Sequence, residues 1–297
     1  MTKHAYLIMA HNEFDILELL VAALDDARND IYIHFDAKCK QLPSLKSRRS
    51  GIYILPERID VRWGDYSQIE AEMSLFEYSH RMQKKNGTEY LYFHLISGVD
   101  IPLKNQDYIH DFFKAHQGKE FLGFFQGNLD ELRKKVQLFH LFPKSFSKER
   151  TLNIKSIMRA LFCRVQMAIG YKRNKDIKLV RGTNWASLTN DFVEYLLGKK
   201  KEIYNRFHHS FCADEVYKHT FCWNSEFKQR IYNLCDEAQG CVREINWKVM
   251  PEESYLPSFT MEDYGRLKNS PMLFARKFDT SNIDVVKRII SELLCPL

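Results

Sequence analysis

Two rhythms of apolar residues alternate along the first hundred positions. Short, nearly continuous apolar runs at 5–11 (AYLIMAH), 30–38 (DIYIHFDAK), 51–56 (GIYILP) and 90–97 (YLYFHLIS) read as buried strands. Between them, 13–28 (EFDILELLVAALDDAR) places apolar residues at 16, 17, 20, 21 and 24, the spacing of one helix face. The stretch 66–87 is a second, longer helix, and Asn86-Gly87 is a good stop signal for it. This β-α-β-β-α-β order predicts a mostly parallel sheet covered by helices. Ligands of such sheets sit beyond the carboxyl ends of the strands. His11 and Asn12, Asp36 with Ala37 and Lys38, and Gly98 to Asp100 are therefore the strand-end positions to watch.

The second half is less regular. Residues 126–176 are basic, helical in pattern and interrupted, which suggests an insertion or lid rather than a second core. The α/β rhythm resumes at 177, with a helix over 190–200, a helix from 213, a strand over 242–250, a strand-like LFARKFD at 273–279 and a terminal helix at 281–294. One α/β domain spanning 1–297 is expected. With 45% hydrophobic residues the chain has ample material for its core.

Charge narrows the partners. Lys and Arg number 44 against 38 Asp and Glu, a net +6 spread along the chain. That is too weak and too diffuse to predict a nucleic-acid binder, but it suits anionic ligands or an anionic membrane surface. Seven scattered cysteines without a C-x-x-C read as reduced, mostly core thiols of a cytoplasmic protein. The apolar run YLIMA is too short for a signal peptide, and nothing approaches the ~20 apolar residues of a membrane span. At most, peripheral contact with the inner face of the cytoplasmic membrane is expected.

The chemistry-bearing motifs are mostly absent. There is no P-loop, no G-x-G-x-x-G, no G-x-S-x-G and no H-E-x-x-H. No D-x-D occurs either, so the usual carboxylate clamp for a metal-bound nucleotide diphosphate is missing. His208, His209, Cys212 and Cys222 fit no standard zinc spacing. What remains stands at the ends of elements. Trp63 and Gly64 precede a helix, where a ring and free N–H groups can hold a nucleotide, or where a tight turn simply buries a Trp. Asp100 can hold a sugar hydroxyl or cap the next turn. Trp185, between polar residues, offers a flat face for a sugar ring. Arg276 and Lys277 stand in tandem on a strand-like segment, so one must face inward. That is costly unless it meets an anion, either a diphosphate or a neighbouring acid such as Asp279. Finally, Asp214 and Glu215 open a helix, where acids serve either as helix-end charges or as a general base.

HLISGVDIPLKN (94–105) resembles the L-S-G-x-D-x-P-[IL]-K-[TN] segment of the core-2/I-branching glycosyltransferases, family 14 of the glycosyltransferase classification. AYLIMAHN, IYIHFDAK, VRWGDYS, RGTNWASLTNDFVEYL, the ADE at 213–215 and LFARKFD resemble that family's other blocks, in order, from about residue 5 to about 280. The family includes β-1,6-N-acetylglucosaminyltransferases, peptide O-xylosyltransferases and plant β-glucuronosyltransferases, and the chain is similar to a compact bacterial-type member. The resemblance implies a GT-A-like fold, a UDP-sugar donor, a glycan or lipid-linked saccharide acceptor, inversion at the anomeric carbon and no divalent metal. It implies Glu215 as the general base with Asp214 in support, Lys277 as a diphosphate contact, and Trp247 near the sugars. The second cation is Arg276, Arg243 or Arg266. N-acetylglucosamine is the first donor to expect, with xylose or glucuronic acid as alternatives. The animal enzymes carry Pro where this chain has Ala213, and their disulfides do not transfer. A metal-dependent transferase, a non-catalytic glycan-binding protein and a basic peripheral membrane protein whose 126–176 segment is the working part are the competing readings.

Overall fold

The computed structural model describes residues 2–127, 130–146, 153–247 and 256–294. Five strands build the main sheet: β1 (Thr2–Ala10), β2 (Asn29–Phe35), β3 (Gly51–Ile54), β4 (Glu89–Ser97) and β6 (Ala186–Thr189), in the order β3-β2-β1-β4-β6. All neighbours are parallel except β4 and β6, so the sheet is mostly parallel, as expected. A second sheet of three short strands joins β5 (Asp100–Pro102), β8 (Phe274–Arg276) and β7 (Arg243–Ile245).

The apolar runs are continuous because both faces of the main sheet are covered. Alternate residues of β1 point to opposite cores. Ala5 and Leu7 pack with α2 (Ser67–Asn86), α4 (Asp130–Val136), α6 (Asn190–Gly198), α7 (Lys200–Phe207) and α8 (Tyr217–Trp223). Tyr6 and Ile8 pack with α1 (Phe14–Ala23), α3 (Gln106–Ala115), α10 (Tyr264–Asn269) and α11 (Ile283–Ile289). The remaining helices are α5 (Ile154–Ala168) and the short α9 (Glu237–Cys241). The α2 stop is where the sequence puts it: Gly87 takes φ +60° and its N–H closes on Gln83.

Three boundaries differ from the sequence reading. The first helix ends at Ala23, not at 28. Asp25 instead accepts the backbone N–H groups of Arg48, Arg49 and Ser50, anchoring the loop before β3. The strand expected over 242–250 is a three-residue β7 over Arg243–Ile245, and residues 248–250 lie outside the described residues. The helix expected from 213 begins as a separate 3-10 turn, Ala213–Glu215, before α8. Residues 126–176 are helical in part, as α4 and α5, although 128–129 and 147–152 lie outside the described residues. The six described cysteines are free thiols, three of them buried; Cys295 lies outside the described residues.

Candidate active site

The carboxyl edge of the main sheet opens into a cavity of about 730 Å³. Seven of the residues singled out by sequence line it together: Trp63, Trp185, Asp214, Glu215, Trp247, Arg276 and Lys277. His11, Asn12 and Asp36 follow the carboxyl ends of β1 and β2 at the same sheet edge, but outside the cavity wall. Asp36 is buried and its carboxylate accepts from the backbone and the ammonium of Lys38, each at 2.8 Å.

Arg276 owes its pose to strand register. The β5/β8 pairing sets Asp100 opposite Arg276. The fully buried Asp100 carboxylate accepts from the Ser97 hydroxyl and from Arg276 Nε at 3.3 Å. The guanidinium then lies over the Trp185 ring, 4.5 Å from its centroid. The inward cation thus meets the acid of the neighbouring strand, not Asp279, which caps the turn Thr280–Asn282. Asp100 orients a cation here and does not line the cavity. Of the three arginines considered beside Lys277, only Arg276 reaches the cavity wall. Arg243 is fully buried and donates to the carbonyls of Cys241, Leu95 and Ala186, while Arg266 pairs with Asp263 and Glu244.

The two adjacent acids sit in opposite environments. Asp214 is buried, accepts from Gln68 Nε2 at 3.1 Å, and is pushed up to about 7 by burial and by the negative charges of Glu215 and Glu72. Glu215 is partly exposed and faces cations: Lys135 Nζ of α4 at 3.2 Å and Arg181 at 4.0 Å. Glu131 joins the same cluster, 3.6 Å from Arg181 and 3.9 Å from Lys135. Glu215, unlike Asp214, has cationic partners for its charge. Glu237 also lines the cavity, and burial pushes its carboxyl up.

Asp214 makes a pH prediction. A carboxyl whose folded-state value is raised stabilises the fold least where the unfolded chain is ionised, so its penalty grows as pH rises from about 4 to about 7 and then levels off. Asp214→Asn should melt at nearly the wild-type temperature at pH 4 and several degrees above it at pH 8. A melting difference that does not change with pH would contradict the assignment.

Beneath the acids lies a polar network that sequence reasoning missed. Lys218 and Glu72 form an ion pair at 2.5 Å with neither side chain exposed. Glu72 also accepts from Tyr217 Oη and Asn184 Nδ2, both at 2.6 Å, and Lys218 donates to Asn184 Oδ1. Asn184 lines the cavity, so the network ties α2, α8 and the cavity wall together. The available signal was Glu72 itself, an acid on the face of α2 that buries Ile69, Met73 and Phe76.

Gly64 fixes the opposite wall. Its φ is +74°, and a Cβ there would stand 2.6 Å from Cε2 of Phe211. Gly64 also accepts from the Cys212 N–H at 2.9 Å, joining the Trp63 turn to the turn that carries the acids. Trp63 packs edge-on against Phe211, with ring centroids 5.2 Å apart. The start of α2 offers fewer open N–H groups than its sequence suggests, because Asp65 already accepts from Ser67 at 3.1 Å. Gly64→Ala should cost about 1–3 kcal/mol of stability through strain and crowding. A melting temperature equal to wild type would show that the turn adapts.

A cavity at the carboxyl edge of an α/β sheet, with a carboxylate and two adjacent cations in its lining, is suited to group transfer from an anionic donor. The model of the Core-2/I-Branching enzyme family matches residues 4–268, and the chain belongs to that family. Xylosyltransferase oxt of Drosophila pseudoobscura pseudoobscura is 24% identical over 285 residues, covering 88% of this chain but only 29% of that protein. The chain therefore spans less than a third of that relative's length. The apo crystal structure of mouse Xyloside xylosyltransferase 1 aligns over 95% of this chain and 99% of its own, at 11% identity and a TM-score of 0.35, a likeness too slight to add to the assignment. Among the described residues no helix is long and apolar enough to cross a membrane.

Proposed function

We propose that the protein is an inverting transferase that moves a sugar from a UDP-sugar to a hydroxyl of a glycan acceptor without a divalent metal, in the synthesis of a cell-surface polysaccharide. The observation that carries this reading is the shared cavity of Glu215, Arg276 and Lys277. Glu215 accepts the acceptor's proton as its oxygen bonds to the anomeric carbon. UDP leaves from the opposite face of the sugar, and its charge develops against Arg276 and Lys277. Arg276 is held rigid by Asp100 and Trp185, so it needs little rearrangement as that charge grows. Asp214, whose carboxyl is pushed up to about 7 and so stays protonated in about half of the molecules at pH 7, is suited to hydrogen-bond an acceptor hydroxyl rather than to take its proton. Trp185, Trp63 and Trp247 supply flat apolar faces for sugar or base.

N-acetylglucosamine and xylose are the donors to try first, the second supported by the name of the Drosophila relative. A lipid-linked acceptor would be met by a peripheral protein on the inner face of the cytoplasmic membrane. The test is UDP release from a panel of UDP-sugars in EDTA, with and without added Mn²⁺. Turnover of one donor in EDTA supports the proposal. Turnover that requires Mn²⁺ overturns its metal-independent part, and no turnover of any UDP-sugar overturns the donor class.

A further inference from the structure

α5 is amphipathic in an unusual sense: its apolar side faces out. Ile154 is 74% exposed, Leu161 62% and Ile169, just past the helix, 72%, and Ile157, Met158 and Val165 are exposed with them. At about 100° per residue, these six side chains fall within an arc of ~120° and run ~22 Å along the helix. The opposite side makes the contacts with the protein. Gln166 is buried and holds the backbone of Phe139 through both its N–H and its carbonyl, and Arg159 lies over the Phe146 ring. The stripe is therefore not a core face exposed by accident of packing.

Charge says what the stripe meets. Residues 153–175 contain Lys155, Arg159, Arg164, Lys172, Arg173 and Lys175 and not one acid. Lys155 and Arg164 flank the stripe on its two sides, both exposed and outside every ion pair among the described residues. Past the helix, Lys172 and Lys175 join Lys134 of α4 in lining a hollow of about 620 Å³, where Asp130 is the one acid. The nearby Asp176 is already paired with Arg206 at 2.7 Å. An apolar stripe bordered by cations, with a cationic hollow at its end, is complementary to acyl chains beneath anionic phosphates.

We infer that α5 and the Lys134–Lys172–Lys175 hollow dock on the surface of an anionic lipid bilayer, with the stripe inserted among the upper acyl carbons and the lysines at the lipid phosphates. α4 connects this face to the chemistry. Lys134 lines the hollow while its neighbour Lys135 reaches Glu215. The docking stands on α5 itself; the consequence that a lipid-linked acceptor arrives beside Glu215 rests on the transferase reading.

The test is co-sedimentation of the full chain with vesicles of phosphatidylcholine containing about a quarter phosphatidylglycerol, and with phosphatidylcholine alone. Selective binding to the anionic vesicles is expected, weakening in high salt as the phosphates are screened. The triple variant Ile154→Ser, Leu161→Ser, Ile169→Ser should bind at least about tenfold less, with unchanged melting temperature and UDP binding. Lys155→Glu with Arg164→Glu should lose the preference for anionic vesicles. Binding that survives the triple variant, or no binding to either vesicle, overturns the inference without touching the donor site. So does a concentration-dependent dimer that the triple variant abolishes, because a second copy would then be the occupant.

Discussion

Glu215→Gln should lower sugar transfer by about two to four orders of magnitude while leaving UDP affinity within about twofold of wild type. The amide keeps the shape of the carboxylate but cannot take a proton from the attacking hydroxyl. It also removes the negative charge that Lys135 and Arg181 now face at 3.2 and 4.0 Å, so some rearrangement of α4 is expected, on the acceptor side. The proposed diphosphate contacts, Arg276 and Lys277, are on β8 and the residue after it, so the two functions should separate cleanly. Lys135→Met offers a related check. It leaves the proposed base in place but removes its nearer counter-ion, and should shift the pH–rate profile rather than abolish transfer. UDP release measured with both variants across pH distinguishes the roles. Near wild-type transfer by Glu215→Gln would remove Glu215 from consideration as the base.

The second large effect is on stability. Glu72→Gln should cost about 3–5 kcal/mol, because Lys218 is left as a buried charge without a counter-ion. Burial already pushes the Lys218 ammonium down, and Glu72 chiefly opposes that shift, with Asp214 behind it. The loss appears as a drop in melting temperature of roughly 10 °C for a chain of this size. Glu72→Gln combined with Lys218→Met should recover part of the loss, since the orphaned charge is then gone. Single and double variants in one thermal-denaturation series give the coupling directly. A single variant that melts within a degree or two of wild type would mean that water reaches Lys218.

The sheet was legible because its inner strands are buried on both faces, which turns them into unbroken apolar runs such as AYLIMAH. Helix ends were less so. The periodicity of 13–28 continues past Ala23, but Asp25 is drawn away by three backbone N–H groups of a loop more than 20 residues distant. The residues lining the cavity could be picked out where chemistry is unusual for its place: tandem Arg276 and Lys277 on a strand, paired acids behind a Cys-Ala step, Trp185 among polar neighbours. Their partners could not. That Asp100 orients Arg276 depends on an antiparallel register between strands 176 positions apart. That Lys135 and Arg181 meet at Glu215 depends on how α4 folds over the cavity, and neither position differs in sequence from any solvated cation. The outward apolar face of α5 was hidden for a related reason: periodicity reveals an amphipathic helix but not which side the protein covers.

The most direct test of the donor site is calorimetric titration of UDP in EDTA against the wild-type chain and Lys277→Ala. The account predicts saturable binding that Lys277→Ala weakens by about tenfold or more, as expected for loss of one charge-assisted contact to a diphosphate. Equal affinity in both proteins, or no binding by either, would contradict a diphosphate held at Arg276 and Lys277.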